Sequence, residues 1–208
     1  MKFTFALALV FSVTPLLSAK NMDELLSSYV TATWKSPTEG TFLYRHSSPS
    51  KMEKGTKYPL LVFFHGAGGR GNDNKGQLVD AGGIGAFEKV GLRTKRNSHV
   101  FAGQVPKGER WVDVHWGLLG HKMPKISNSM RMAFEALDAY VADDKNQVDP
   151  NRIYVMGLSM GGYGTWDAIQ RRTTSFCRLL PPASSSTCSR STPPSNREVS
   201  SLINGFVT

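Results

Sequence analysis

The segment "RIYVMGLSMGGYGTW", residues 152–166, combines an apolar run with a glycine-rich turn. The run at 153–156 has the composition of a strand that is buried on both faces of a parallel sheet. Gly157 and Gly161 lie two residues on either side of Ser159 and complete the pattern Gly-x-Ser-x-Gly. This spacing predicts a sharp turn at Ser159, from a strand into a helix that begins at Met160.

A second apolar run, "YPLLVFFHG" at residues 58–66, leads into another glycine-rich segment, "HGAGGRGND". The continuous apolar character again predicts a buried strand of a parallel sheet. Ligands of open α/β sheets bind beyond the carboxyl ends of the strands. Because both glycine-rich segments follow predicted strands, we expect them to face one site.

The remaining segments alternate between strand and helix patterns. In "ISNSMRMAFEALDAYVADDK", apolar residues recur at helical spacing behind a cap at Ser127 or Asn128. "DPNR", residues 149–152, predicts a turn. Further strands are expected at 29–34, 40–46 and 99–106, and a short helix at 83–92. This alternation predicts a three-layer α/β domain with a mostly parallel sheet over residues 20–172.

The first 19 residues, "MKFTFALALVFSVTPLLSA", have the layout of a secretory signal peptide: an early lysine, an apolar run and small residues at the end. We therefore expect export to the periplasm or the extracellular space. The run is short for a membrane span, and no second apolar stretch of about 20 residues follows, so stable membrane insertion is not expected.

Residues 173–208 are rich in Ser, Thr and Pro and keep neither helical nor strand periodicity for long. This composition is typical of a linker or a disordered tail. An equally abrupt change of composition occurs when a coding sequence slips out of frame.

Charge and composition argue against two classes of partner. The formal charge of +9 comes from scattered basic residues without interleaved aromatics, so nucleic-acid binding is not expected. No His/Cys/Asp/Glu cluster has ligand spacing, so we predict neither a metal nor another cofactor. Nothing in the sequence indicates an oligomeric state.

Serine is a candidate nucleophile only when a base removes its proton and donors face the oxyanion that forms. A helix beginning at Met160 points backbone N–H groups at such a site. A purely structural turn or a phosphate cradle is the alternative interpretation, but no Walker lysine or dinucleotide fingerprint accompanies the pattern. His65 is a candidate base, although a histidine in such a loop more often supports the loop by hydrogen bonding.

Three segments together carry a resemblance: "HGAGGRGNDN", "WVDVHWG" and "DPNRIYVMGLSMGGYGTWD". Over residues 29–172 the chain resembles the α/β-hydrolase superfamily. Within it, the chain is similar to the secreted bacterial phospholipase/carboxylesterase-like branch, which is close to polyhydroxybutyrate-depolymerase and feruloyl-esterase-like enzymes. The resemblance implies hydrolysis of a small-molecule or polymer ester through an acyl-enzyme on Ser159. It also implies oxyanion donors at the Met160 N–H and at the backbone of Gly66 and Ala67.

Other positions of the resemblance carry no chemical role. Trp111, Asp113, Trp116 and Gly117 match a segment of the family, and we expect them to pack beside the mouth of the site. The chain has Gly69 where the family often has Glu, and Gly103-Gln104 where the family has Pro-Gln. These differences are expected to change the fine shape of the loop and to leave the fold intact.

The order of the superfamily triad is Ser, then Asp or Glu, then His. No histidine follows Ser159, and the only acidic residues after it are Asp167 and Glu198. Asp167 lies about 12 Å along the predicted helix from Ser159, too far to orient a base. We therefore expect a C-terminally truncated or frame-shifted chain, with its last strands missing and its activity impaired. A prolyl-oligopeptidase-like peptidase and a non-catalytic secreted binding protein are the alternatives.

Overall fold

The computed structural model describes residues 23–80, 84, 97–116 and 122–172. The predicted signal peptide, the tail from residue 173 and, except for Ile84, the predicted helix at 83–92 lie outside these residues.

Five strands form one sheet: β1 (Val30–Ser36), β2 (Gly40–Ser47), β3 (Tyr58–Phe64), β4 (His99–Gln104) and β5 (Val148–Gly157). Their order in space is β1-β2-β4-β3-β5. β3 pairs in parallel with β4 on one side and with β5 on the other. β2 is antiparallel to both β1 and β4, so it alone among these strands runs in the opposite direction. The mostly parallel sheet that the sequence predicts is confirmed.

The α-helices between and after these strands include α1 (Gly76–Val79), α2 (Asn128–Ala142) and α3 (Met160–Arg171). Residues 23–27, before β1, are helical as well. Ser127 is the N-cap residue of α2, since its hydroxyl accepts a hydrogen bond of 3.1 Å from the Met130 N–H. Of the two caps that the sequence left open, the structure selects Ser127. In the described part of the chain, no helix is long and apolar enough to cross a membrane.

The core lies on both faces of the sheet. Along β3, Leu60, Val62 and Phe64 belong to a cluster with apolar residues of α2 and α3. Leu61 and Phe63 point to the other face, where they pack with Leu78 of α1. This alternation follows from the two-residue period of a strand and places helices on both sides of the sheet. The predicted three-layer arrangement is confirmed.

The chain continues to opposite faces of the sheet after β3 and after β5. The chain leaves β3 through α1 on one face to reach β4, and it returns through α2 on the other face to reach β5. The turn after β3 leads to α1 on one face, whereas the turn after β5 leads to α3 on the other face. In open α/β sheets such a switch of direction marks the crevice in which ligands bind.

Two expectations for β5 need correction. "DPNR" does not precede the strand as a separate turn, because β5 begins at Val148 and these residues form an irregularity inside it. Asp149 stabilises the irregularity by accepting from the Asn151 N–H at 2.9 Å and from the Arg152 guanidinium at 2.6 Å. In addition, β5 is not fully buried, since Tyr154 and Met156 are only partly covered on one face.

Candidate functional site

Ser159 lies on the sharp turn between β5 and α3, as the spacing predicts. Its φ of 51° and ψ of −114° lie outside the helical region, which is a strained conformation for a residue with a side chain. The side chain is exposed and makes no capping hydrogen bond with α3. Met160 is the first residue of α3, where backbone N–H groups have no acceptor within the helix. The turn thus presents a hydroxyl and a free donor together.

The two glycines of the turn are required by close packing. A Cβ at Gly157 would overlap the Gly161 carbonyl and lie 2.8 Å from the Thr165 hydroxyl. A Cβ at Gly161 would overlap the Phe64 carbonyl and lie 2.8 Å from the His65 carbonyl. β3, β5 and α3 therefore approach each other more closely than any larger residue allows at these positions.

The turn at Ser159 and the loop after β3 are direct neighbours. The Leu158 N–H donates to the Phe64 carbonyl at 3.1 Å. A Cβ at Gly66 would lie 3.4 Å from the Leu158 carbonyl. Ala67 begins a 3-10 turn, Ala67–Gly69, closed by a bond from the Gly69 N–H to the Gly66 carbonyl at 3.1 Å. The structure thus brings the residues predicted for the nucleophile and for the oxyanion donors to one place.

His65 is fully buried, and both of its ring nitrogens are in use. Nε2 accepts from the Val105 N–H at 3.0 Å, so Nδ1 carries the proton that it donates to the Gly66 carbonyl at 2.6 Å. Burial lowers the pKa of His65 to about 4, although the bond to Gly66 acts in the opposite direction. This neutral imidazole holds the loop in shape and has no nitrogen left to take a proton from Ser159.

Trp111 connects the loop to α3. Its side chain is fully buried, and its indole N–H donates to the His65 carbonyl at 3.1 Å. Its ring packs edge-on against Phe64, with ring centroids 4.7 Å apart. A Cβ at Gly164 would lie 2.9 Å from the Trp111 Cβ. Trp111 thus packs beside the candidate site, as predicted for this segment. Its bond to the His65 carbonyl fixes the backbone at the start of the loop.

A hydrogen-bond network that the sequence did not reveal supports the other end of the loop. The Gln104 amide nitrogen donates to the Gly69 carbonyl at 3.1 Å and to the Asp73 carboxylate at 2.7 Å. Its oxygen accepts from the Asn74 N–H at 2.7 Å. The bond from Gln104 is the main reason why the pKa of Asp73 falls to about 2. The polar run "RGNDN", residues 70–74, indicates such a network, but its hydrogen-bond partner, Gln104, is distant in sequence.

Other histidines and acidic residues lie away from Ser159 or outside the described residues. His99 pairs with Leu60 at the first half of β3, at the opposite end of the sheet from Ser159. Its Nδ1 lies 2.9 Å from the Tyr140 hydroxyl. Asp167 is buried two turns into α3 and forms an ion pair of 2.6 Å with Arg171. His121, Gly117 and Glu198 lie outside the described residues.

His115 is described and exposed, on the segment that follows Trp111. The described residues include no group of three or more His, Cys, Asp or Glu side chains that could hold a metal ion.

No family model matches the sequence, and no curated protein matches it. Among solved structures, a thermostable esterase is 32% identical with a TM-score of 0.64, and the match covers 74% of this chain and 40% of that one. A ferulic acid esterase is 22% identical with a TM-score of 0.50, covering 72% of this chain and 57% of that one. The chain thus spans about half the length of these proteins. It has the α/β-hydrolase fold, and esterases are among its structural neighbours.

Proposed function

We propose that the chain is part of a carboxylic-ester hydrolase that uses Ser159 as its nucleophile. In this reaction Ser159 Oγ attacks the ester carbonyl and the alcohol leaves, which gives an acyl-enzyme that water then hydrolyses. The Met160 N–H and a backbone N–H of the Gly66–Ala67 segment would donate to the tetrahedral oxyanion. The substrate would be a small-molecule or polymer ester, and the enzyme would act after export.

One observation carries this proposal: the strained turn at Ser159 lies directly against the glycine-rich loop after β3. Serine hydrolysis of esters needs an exposed hydroxyl beside two donors that converge on one oxygen. The 32% identity to a thermostable esterase supports the same chemistry. The geometry of the turn and the loop does not by itself select esters over peptides. The likeness to the thermostable esterase favours an ester hydrolase over the peptidase and binding-protein alternatives.

The base is the missing component of the proposal. Among the described histidines, His65 has both ring nitrogens engaged. His46 and His99 both pack against Tyr140 at the other end of the sheet. His115 is exposed and is the histidine to test by substitution. No histidine follows Ser159 in the sequence. We therefore infer that the 208-residue chain hydrolyses esters slowly, because its serine stays protonated. The donors alone retain roughly 10³ to 10⁴ of rate enhancement over water in enzymes that lack a triad member.

Hydrolysis of p-nitrophenyl acetate by the purified chain tests this proposal. We expect weak turnover that is lost in Ser159→Ala, with unchanged circular dichroism. Because His65 supports the loop, substitution of His115 is the more informative second test. Rapid turnover that disappears in His115→Ala would show that the chain supplies its own base and would overturn the inferred impairment. Turnover that is equal in the wild type and Ser159→Ala would overturn the proposed nucleophile.

A further inference from the structure

The carboxylate of Asp80 lies against the glycine-rich loop after β3. Asp80 is the residue that ends α1. A Cβ at Gly66 would lie 2.6 Å from Asp80 Oδ2, and a Cβ at Gly68 would overlap Asp80 Oδ1. The two glycines therefore leave the space that this carboxylate occupies. The Asp80 carboxylate therefore packs directly against the backbone of Gly66 and Gly68.

The position next to Gly66 also places Asp80 beside the candidate site. The same Cβ at Gly66 would lie 3.4 Å from the carbonyl oxygen of Leu158, the residue before Ser159. Asp80 also acts electrostatically on His65, where it partly offsets the lowering of the pKa by burial. The negative charge of Asp80 thus acts on His65, a residue of the loop that would carry an oxyanion donor.

The charge of Asp80 has no close cationic partner among the described residues. None of the ion pairs within residues 23–80, 97–116 and 122–172 includes Asp80. Arg70 lies on the same loop, but its guanidinium donates to the Ala67 carbonyl at 2.9 Å and to the Glu109 carbonyl at 3.4 Å. Within the described part of the chain, no lysine or arginine forms an ion pair with the Asp80 carboxylate.

We propose that Asp80 is a specificity-determining residue that makes the site favour esters with a cationic substituent over esters with an anionic one. The proposal rests on the proposed function, because it requires Ser159 to be the reacting nucleophile. Its physical basis is the Coulomb interaction between the Asp80 carboxylate and a charged group on the acyl or alcohol part of the substrate. Electrostatic selection of this kind acts on a substrate before any chemical step.

Covalent labelling tests the proposal without depending on fast turnover. Two aryl alkylphosphonates are used, one with a trimethylammonium group and one with a carboxylate at the end of the alkyl chain. Ser159 Oγ forms a bond to phosphorus and the phenolate leaves, so intact mass reports the rate and peptide mapping reports the site. The measured quantity is the ratio of the cationic to the anionic labelling rate.

We expect this ratio to fall about fivefold in Asp80→Asn and in Asp80→Ser. That factor corresponds to unit charges roughly 8 Å from the carboxylate in a dielectric of about 80. Asp144→Asn is the matched control, because it removes the same charge from a fully exposed side chain that follows α2, before the first residue of β5. In Asp144→Asn the ratio of the two labelling rates should stay at its wild-type value.

The outcomes separate the two proposals. Labelling of Ser159 with a ratio that is unchanged in both folded Asp80 variants would overturn the role of Asp80 and leave the nucleophile in place. An equal fall of the ratio in Asp144→Asn would also overturn it, because the effect would then come from net charge. Absence of labelling by both probes, or equal labelling of Ser159→Ala, would overturn the proposed nucleophile itself.

Discussion

The turn at Ser159 and the loop from His65 to Gly69 lie side by side, yet different forces hold their shapes. The turn depends on backbone approaching backbone, with Gly157 and Gly161 packed where no Cβ fits. The loop depends on side chains from other elements: Trp111 and Gln104 bond to its first and last carbonyls. A closely packed turn should fail abruptly when one methyl group is added, whereas a network of hydrogen bonds should weaken by degrees.

The largest effect is expected when a methyl group enters the turn. Gly161→Ala would push a Cβ into the Phe64 carbonyl, so we expect a loss of about 3 kcal/mol or more in the free energy of unfolding. Gly162→Ala is the matched control, since a Cβ there meets no atom within 4 Å. It should leave the protein unchanged or stabilise it by up to about 1 kcal/mol through helix propensity. Chemical denaturation measures both variants, and equal stability of the two would refute the close packing of the turn.

The next effect concerns the ionisation of His65. Its folded pKa of about 4 lies below the ordinary value of 6.5, so the unfolded chain binds more protons between these values. The free energy of unfolding should therefore be at its full value above pH 6.5 and decrease as the pH falls toward 4, by roughly 2 to 3 kcal/mol if the shift is complete. His99 is expected to add a decrease in the same window, since burial also lowers its pKa to about 4.

Nuclear magnetic resonance titration of the imidazole groups separates the two histidines. A His65 resonance that stays neutral down to about pH 5 would agree with its place in the loop. A midpoint near pH 6.5 would contradict the structural role and make His65 available as a base.

A smaller effect is expected in the network at the end of the loop. Gln104→Leu leaves the Asn74 N–H and the Gly69 carbonyl without their partner, so we expect a loss of about 1 to 3 kcal/mol in stability. The same change should raise the pKa of Asp73 from about 2 toward its ordinary value, since Gln104 is the main cause of its lowering. Gln147→Leu serves as a control, because that amide bonds only to exposed backbone of the 53–56 turn. A carboxyl titration of Asp73 that is identical in the wild type and Gln104→Leu would rule out the network.

The same comparison explains what could be predicted from the sequence. The residue types that the turn at Ser159 needs fall within five consecutive residues, so the pattern predicted the turn with the correct helix start. The backbone that excludes a Cβ at Gly161 belongs to the distant Phe64, but the glycine itself is visible in the sequence. The strand β3 and the second half of β5 were predictable because apolar runs of this length are typical of buried parallel strands. The loop is non-local: its shape depends on Gln104 and Trp111, which lie more than thirty residues away and reach it only because β3 and β4 are paired. No periodicity encodes such a contact.

The irregularity in β5 shows the opposite case. "DPNR" has strong turn residues, and the turn interpretation followed from local chemistry alone. Pairing with β3 on both sides of these residues keeps them inside one strand as a bulge. Tertiary pairing therefore overrode a local preference.

The central claim is that Ser159 and the loop after β3 form one oxyanion site. A crystal structure of the chain after labelling with a neutral alkylphosphonate tests it most directly. The account predicts phosphorus on Ser159 Oγ, with the phosphoryl oxygen about 2.7 to 3.1 Å from the Met160 nitrogen and from a backbone nitrogen of the Gly66–Ala67 segment. An adduct on another residue, or a phosphoryl oxygen that reaches neither nitrogen, would contradict it.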